Sequence, residues 1–137
     1  MEFLNVIAAA LASFAFGAVW YMSMTKAWIK AAELQCDDKG RPTRGDGHPG
    51  GSSPMPFVIG LIAMMLVAGM MRHLLGASGV TSIGGGAIAG FGIGAFLITP
   101  WVAMNYGFAM RKPALTVIDG VNSVVGCTIM GAVLNSF

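Results

Sequence analysis

The residue most suggestive of chemistry is Asp119, the only acidic side chain inside the long apolar stretches of this sequence. An ionised carboxylate in hydrocarbon costs at least about 2.5 kcal/mol at the bilayer centre, so such a residue needs either structural partners or a role in moving protons or ions. Arg111 and Lys112 precede it closely enough to reach it. Further side chains expected at the same level complete a candidate polar cluster: Trp20, Tyr21, Asn105, Tyr106, Asp119 and Asn122.

Two interpretations of this cluster remain open. In the first, its side chains connect the starts and ends of neighbouring helices by hydrogen bonds, and its aromatic members form an interfacial belt. In the second, Asp119 is the centre of a transport or proton-handling site. Asp119 lies about five residues into its predicted helix, roughly 7 Å from the helix start. This shallow depth lowers the penalty for a charge and favours the structural interpretation.

Metal binding would need a different set of ligands. Eleven methionines could offer thioethers to Cu(I), but their positions do not form a ladder on one helix face. One polar segment has metal-binding side chains whose spacing matches no standard zinc or calcium pattern: Cys36, Asp37, Asp38, Asp46 and His48. We predict no metal site and no cofactor. Cys36 and Cys127, in a loop and an apolar stretch, are expected to be free thiols.

The composition places these residues in a membrane protein. Of the 137 residues, 55% are hydrophobic and only 10% are charged, and the mean hydropathy is +0.73. A soluble domain carries about a quarter charged residues, and one of this size cannot bury so much apolar surface in a single core. The net charge of +2 is too small to indicate a nucleic-acid partner, whereas the apolar excess indicates a lipid bilayer.

Four apolar stretches are long enough to cross a bilayer, which takes about 20 residues. They cover residues 3–22, 55–75, 82–105 and 114–134. We therefore predict an all-α fold, a single-domain up-down bundle of four transmembrane helices with a polar cytoplasmic loop at residues 36–54. Short connections predict antiparallel packing of neighbours. A cleaved signal peptide is disfavoured for the first span because no basic leader precedes it.

The basic residues indicate the direction of the spans. Arg72 falls on one side of the predicted bundle, and the other seven fall in the two connections on the opposite side: Lys26, Lys30, Lys39, Arg41, Arg44, Arg111 and Lys112. Positive residues favour the cytoplasmic side of a membrane. We therefore predict that both termini are extracytoplasmic.

Small residues recur at intervals of four along three spans, and such faces allow helices to pack closely in lipid. The helix-packing residues that we select are Gly17, Gly86, Gly90, Gly94 and Gly131, with Ala9, Ser13, Ser123 and Cys127 on the same faces. Contacts within one bundle and docking on another subunit are both compatible with this pattern. A loose dinucleotide-binding fingerprint around Gly84 and Gly86 is rejected because it requires a preceding strand.

Several motifs resemble those of a known family of small bacterial membrane proteins. The stretch from Phe14 to Leu34 has the G-x-x-W-Y helix end and the Lys-x-W segment of that family, here Gly17, Trp20, Tyr21, Lys26 and Trp28. The second half has similar motifs at Asn105-Tyr106-x-Phe108, Ile118-Asp119-Gly120 and Met130-Gly131-Ala132. The family is the uncharacterised domain-of-unknown-function family seventeen sixty-one. Residues 22–25 depart from it, because they are shorter than the usual segment and lack its proline.

The resemblance implies four spans in a bacterial membrane and implies no activity. We predict the inner membrane as the location. No residues resemble a nucleophile with its base and orienting group, so we predict no catalytic residue and no enzymatic activity. The predicted function is that of an accessory or structural subunit of a larger membrane assembly, with other membrane-protein subunits or a second copy as partners. The alternative is a small homo-oligomeric transporter or channel with its polar site around Asp119.

Overall fold

The computed structural model describes residues 2–43 and 53–137, and these segments form four long helices. In chain order these are α1 (Glu2–Ala32), α2 (Met55–Ala77), a third span in three segments, and α5 (Pro113–Leu134). The third span, Ile83–Phe108, comprises α3 (Ile83–Ile93), a π-helical turn (Gly94–Ile98) and α4 (Thr99–Phe108). Each of the four is long and apolar enough to cross a membrane. The predicted all-α fold with four membrane-spanning helices is confirmed.

The centre of the bundle is α5, which contacts all the other helices and is the most buried of the four spans. A cluster of buried side chains joins it to α1 and α2: Ala9, Ala10, Ala68, Met71, Leu75, Cys127, Met130 and Leu134. The third span packs on the opposite side of α5, whereas α2 and α3 barely touch. The helix α2 therefore packs mainly on α1 and also contacts α5, and the third span packs mainly on α5. The expected packing of sequence neighbours holds for two of the three pairs.

The helix α1 is longer than the predicted first span, because it continues to Ala32 instead of ending at residue 22. Its 31 residues extend about 46 Å at 1.5 Å per residue, well beyond the roughly 30 Å of hydrocarbon in a bilayer. The added residues are mostly good helix formers, and their end packs Ala31 and Ala32 against Leu115 and Ile118 of α5. The helix ends at Glu33, whose φ is 55°.

The connection between α4 and α5 caps the end of α1. Arg111 Nη1 lies 3.5 Å from the Ala32 carbonyl oxygen, and Lys112 Nζ lies 3.4 Å from the Lys30 carbonyl oxygen. Lys112 also forms an ion pair of 3.1 Å with Glu33. Cations at a helix C-terminus satisfy its last carbonyl groups and complement its dipole. The structure thus directs these two cations to α1 and not to Asp119.

After α1 the chain forms a tight turn, in which Cys36 and Pro42 make an isolated β-bridge. Asp37 Oδ1 accepts hydrogen bonds from the backbone amides of Lys39 at 3.0 Å and Arg41 at 2.8 Å. The Arg41 backbone amide is the main cause of a lowered pKa for the Asp37 carboxyl. Two of the loop side chains considered as metal ligands, Asp46 and His48, and the basic residue Arg44 lie outside the described residues.

The π-helical turn in the third span comes directly before Pro100. A proline lacks the amide hydrogen that an α-helix needs and crowds the carbonyl one turn earlier, so the helix must adjust. The backbone amide and the hydroxyl of Thr99 both donate to the Gly94 carbonyl oxygen, the hydroxyl at 2.7 Å. The span therefore continues through the proline to Phe108, three residues beyond its predicted end at residue 105.

Candidate functional site

Two tyrosines from different helices hold the carboxylate of Asp119. Tyr21 Oη of α1 donates to Asp119 Oδ1 at 2.6 Å, and Tyr106 Oη of α4 donates to Asp119 Oδ2 at 2.6 Å. Each of the two carboxyl oxygens therefore has a hydroxyl donor from another helix. We call these three side chains the Asp119 clasp. Because its members come from α1, α4 and α5, the clasp joins three of the four spans at one level.

Neighbouring groups fix the backbone and rings around the clasp. Trp20 Nε1 donates to the Ile118 carbonyl oxygen at 3.0 Å, so α1 also bonds the backbone of α5 next to Asp119. Trp28 lies two turns after Tyr21 on the same face of α1. Its ring meets the Tyr21 ring edge-on, with centroids 6.1 Å apart. These contacts reduce the freedom of the Tyr21 side chain and preset its hydroxyl for Asp119.

The structure brings together four of the six residues in the predicted polar cluster: Trp20, Tyr21, Tyr106 and Asp119. Asn105 is exposed and lies outside the clasp, because successive residues of a helix point about 100° apart. Asn122 lies one turn deeper, where a Cβ added to Gly17 would be 3.2 Å from its Oδ1 atom. Asn122 therefore packs at the contact between α1 and α5, next to the clasp and not within it.

The third span and α5 approach each other backbone to backbone along three glycines. A Cβ built on Gly86 would overlap the Gly131 carbonyl oxygen, and one on Gly90 would overlap the Cys127 carbonyl oxygen. A Cβ on Gly94 would lie 2.6 Å from the Val124 Cα atom. We call these contacts the glycine seam. Any side chain larger than hydrogen at these three positions would force the helices apart.

Two further close contacts involve glycines that were not selected from the sequence. A Cβ on Gly120 would lie 2.9 Å from Thr99 Cγ2, and one on Gly126 would lie 2.7 Å from Ser13 Oγ. Gly120 faces the third span and Gly126 faces α1. The sequence signal for these two contacts is that small residues occur on more than one face of α5. A helix needs small residues on two faces when it packs closely on both sides. Gly17 is less restricted, because its nearest neighbour is the Asn122 side chain.

The clasp offers little for catalysis or metal binding. It contains one acid and two phenols, and both oxygens of the acid are engaged with those phenols. Within residues 2–43 and 53–137, no three His, Cys, Asp or Glu side chains are grouped to hold a metal ion. Cys36 is exposed and Cys127 is buried, and both are free thiols. The arrangement is suited to holding three helices at fixed positions.

A family model described as a protein of unknown function, DUF1761, matches residues 4–135 of the chain. This match confirms the resemblance found in the sequence motifs at both ends. The matched range includes every residue of the Asp119 clasp and of the glycine seam. No curated protein and no solved structure matches the chain.

Proposed function

We propose a structural function for this chain, which belongs to the DUF1761 family of proteins of unknown function. In this proposal it is a non-enzymatic membrane protein and an accessory subunit of a larger membrane assembly. The observation that carries the proposal is the Asp119 clasp. Asp119, the one acidic residue within the four candidate membrane spans of the described chain, joins α1, α4 and α5.

A transport site would need an acid that can exchange partners during the cycle. Both oxygens of Asp119 already accept short hydrogen bonds from groups on two other helices. Releasing either oxygen would leave a polar carboxyl oxygen without a donor near hydrocarbon, where an unpaired polar group is costly. Other hydroxyls in the spans also serve structure. Ser123 and Thr128 donate to carbonyl oxygens of their own helix, at Asp119 and Val124. Thr99 donates to Gly94 of its own span and, at 3.5 Å, to Gly120 of α5. This use of polar groups supports a structural function.

The glycine seam supports the same proposal. In lipid, helices associate through close packing because hydrophobic burial supplies little driving force. We propose that Gly86, Gly90 and Gly94 act as a GxxxG-type packing face within the bundle and so make α5 and the third span one rigid unit. A rigid unit of this kind suits a protein whose outer faces meet other subunits. Two outward glycines of the third span, Gly84 and Gly92, have no atom within 4 Å of an added Cβ.

The proposed setting is a bacterial inner membrane with both termini extracytoplasmic. Among the described residues, six basic side chains lie at the end of the bundle that carries the clasp, and Arg72 lies toward the other end. The positive-inside rule supports cytoplasmic exposure of the clasp end. The extension of α1 beyond residue 22, with Lys26 and Lys30 exposed on it, would then project into the cytoplasm.

The test is mild detergent extraction from native membranes, followed by sizing and identification of co-purifying proteins. We expect the chain to elute with a larger membrane complex at fixed stoichiometry. The exposed-site variant Val117→Leu should behave like the wild type, since Val117 is 64% exposed on α5. Asp119→Leu should lower the co-eluting fraction, because it destabilises the fold. A homo-oligomer free of other proteins would overturn the proposal and favour the transporter alternative.

A further inference from the structure

The part of α1 beyond residue 22 carries two lysines on one exposed face. Lys26 and Lys30 are four residues apart, so their side chains are neighbours on the helix surface, and both are exposed. The opposite face of this segment packs inward, since Trp28 is half-buried and Ala31 and Ala32 are buried against α5. The two ammonium groups therefore point away from the bundle. We call Lys26 and Lys30 the lysine face.

Neither ammonium group of the lysine face has a hydrogen bond or an ion pair with any residue that the structure describes. The two carboxylates that follow them most closely in the sequence are engaged with other cations. Glu33 pairs with Lys112 at 3.1 Å, and Asp37 pairs with Arg41 at 2.8 Å. The lysine face thus presents two adjacent positive charges that an external anion can reach.

The level of the lysine face in the membrane follows from the packing of α1 against α5. These helices run antiparallel, and Tyr21 meets Asp119, which lies six residues after Pro113 at the start of α5. Lys26 comes five residues after Tyr21 and so lies at about the level where α5 begins. Because a transmembrane helix begins near the headgroups, Lys26 lies at headgroup level. Lys30 lies roughly 6 Å farther out, at the usual rise per residue.

The direction of helical side chains brings the outer lysine back to the same level. In an α-helix each Cα–Cβ bond tilts toward the N-terminus, which for this part of α1 is toward the membrane. The flexible stem of Lys30 therefore leads its ammonium group back toward the headgroups, where long basic side chains place their charge. Two ammonium groups from adjacent turns then lie close enough to share one phosphate.

We propose that the lysine face binds the phosphate group of one anionic phospholipid. Basic residues next to a membrane helix attract anionic lipids, which are abundant in the cytoplasmic leaflet. The orientation proposed above places this end of the bundle at that leaflet. A lipid phosphate held between Lys26 and Lys30 attaches the extension of α1 to the membrane surface.

The test uses the full chain in a mild non-ionic detergent, with phosphatidylglycerol and the zwitterionic phosphatidylcholine as probes. A ligand that binds only the folded state raises the melting temperature. We expect phosphatidylglycerol to raise it more than phosphatidylcholine does, and added salt to reduce this difference. In Lys26→Gln and in Lys30→Gln, the phosphatidylglycerol concentration that gives half of the rise should increase by about fivefold. Glutamine is a good helix former, so both variants should melt like the wild type without lipid.

Lys39→Gln is the matched control, because Lys39 is an exposed lysine in the turn after α1 and not on the lysine face. It removes the same charge and should respond to phosphatidylglycerol like the wild type. The double variant Lys26→Arg/Lys30→Arg keeps both charges and should keep the preference for phosphatidylglycerol. Equal responses of Lys39→Gln and Lys30→Gln would overturn the proposal, because net charge alone would then attract the lipid. An unchanged response in Lys26→Gln/Lys30→Gln, or an equal effect of soluble glycerol phosphate, would also overturn it.

Discussion

Each oxygen of the Asp119 carboxylate accepts one hydrogen bond, so two substitutions at this position should differ in effect. Asp119→Asn keeps one acceptor oxygen and should retain most of the stability. Asp119→Leu leaves two tyrosine hydroxyls without their acceptor. An unsatisfied buried polar group costs about 1–3 kcal/mol. We therefore expect the free energy of unfolding of Asp119→Leu to fall by at least that amount. Thermal melts of the purified variants measure this difference.

Asn105→Leu is the control for this experiment, because Asn105 is a polar side chain next to Tyr106 that is exposed and outside the clasp. It should melt like the wild type. A growth or uptake assay beside the melts separates structure from transport. If Asp119→Leu melts like the wild type and yet abolishes the cellular phenotype, Asp119 is a functional residue and the structural proposal is wrong.

The two tyrosines of the clasp should act as a coupled pair. Tyr21→Phe and Tyr106→Phe each remove one hydrogen bond to a charged group, worth about 1.5–3 kcal/mol. After either change the carboxylate still has one phenol donor, whereas the double variant leaves it with none. We therefore expect the double variant to lose more stability than the sum of the two single losses. A double-mutant cycle of unfolding free energies tests this, and simple additivity would show that the tyrosines act independently.

The sequence predicts the members of the clasp by their depth but not the bonds between them. Helix starts and ends place Tyr21, Tyr106 and Asp119 at one level. Periodicity does not fix how each helix is rotated about its axis, so Asn105 seemed equivalent to Tyr106. The same limit applies to Arg111 and Lys112, whose charges suggested Asp119 as a partner. The continuation of α1 to Ala32 provides carbonyl acceptors that they reach instead.

At the scale of helices, the glycine seam predicts that neighbouring glycines will tolerate change very differently. Gly90→Leu would place a side chain against the Cys127 carbonyl group, and overpacking of this kind costs on the order of 1–3 kcal/mol. Gly92→Leu is the matched control, because it also replaces a glycine by leucine. A Cβ added at Gly92 would have no atom within 4 Å. Thermal melts and sizing in detergent should show a loss for Gly90→Leu alone. Equal behaviour of the two variants would contradict a packing role for the seam.

The ends of the helices could be predicted where the chain contains a strong local signal. Pro54 precedes α2 and Pro56 lies in its first turn, whereas Pro113 is the first residue of α5. Each proline lies within two residues of the helix start predicted from the sequence. The end of α1 has no such signal. Hydropathy predicts only the part of α1 that crosses lipid, and the polar continuation beyond residue 22 has no apolar run. Contacts of Ala31 and Ala32 with Leu115 and Ile118 keep this continuation helical. The π-helical turn depends on the local geometry around Pro100, which hydropathy does not describe.

At the scale of the whole molecule, the four-helix class followed from composition, but the spatial order of the helices did not. Connections of a few residues require sequence neighbours to be near each other only at one end. The pairing of α5 with both α1 and the third span depends on small residues on two faces of α5, such as Gly126 and Gly131. One signal was visible in the sequence: α5 has small residues throughout its length. Assigning each to a partner helix required the three-dimensional structure.

The distribution of charge over the molecule predicts its direction in the membrane. Seven of the eight basic residues lie in the segments that join α1 to α2 and α4 to α5 or on the extension of α1. Moving them across a bilayer is unfavourable, and from the positive-inside rule we therefore expect that end to face the cytoplasm. A fluorescent reporter fused after Phe137 should stay dark, and a periplasmic phosphatase fused there should be active.

A second pair of fusions provides the control for this topology. Reporters joined after Met110, in the connection that caps α1, should give the opposite pattern, with fluorescence and no phosphatase activity. Because the Asp119 clasp and the Arg111 and Lys112 cap lie at the same end, this result would place both in or next to the cytoplasmic leaflet. A fluorescent fusion at Phe137 together with an active phosphatase at Met110 would reverse the orientation. Arg72 would then face the cytoplasm, against the charge distribution.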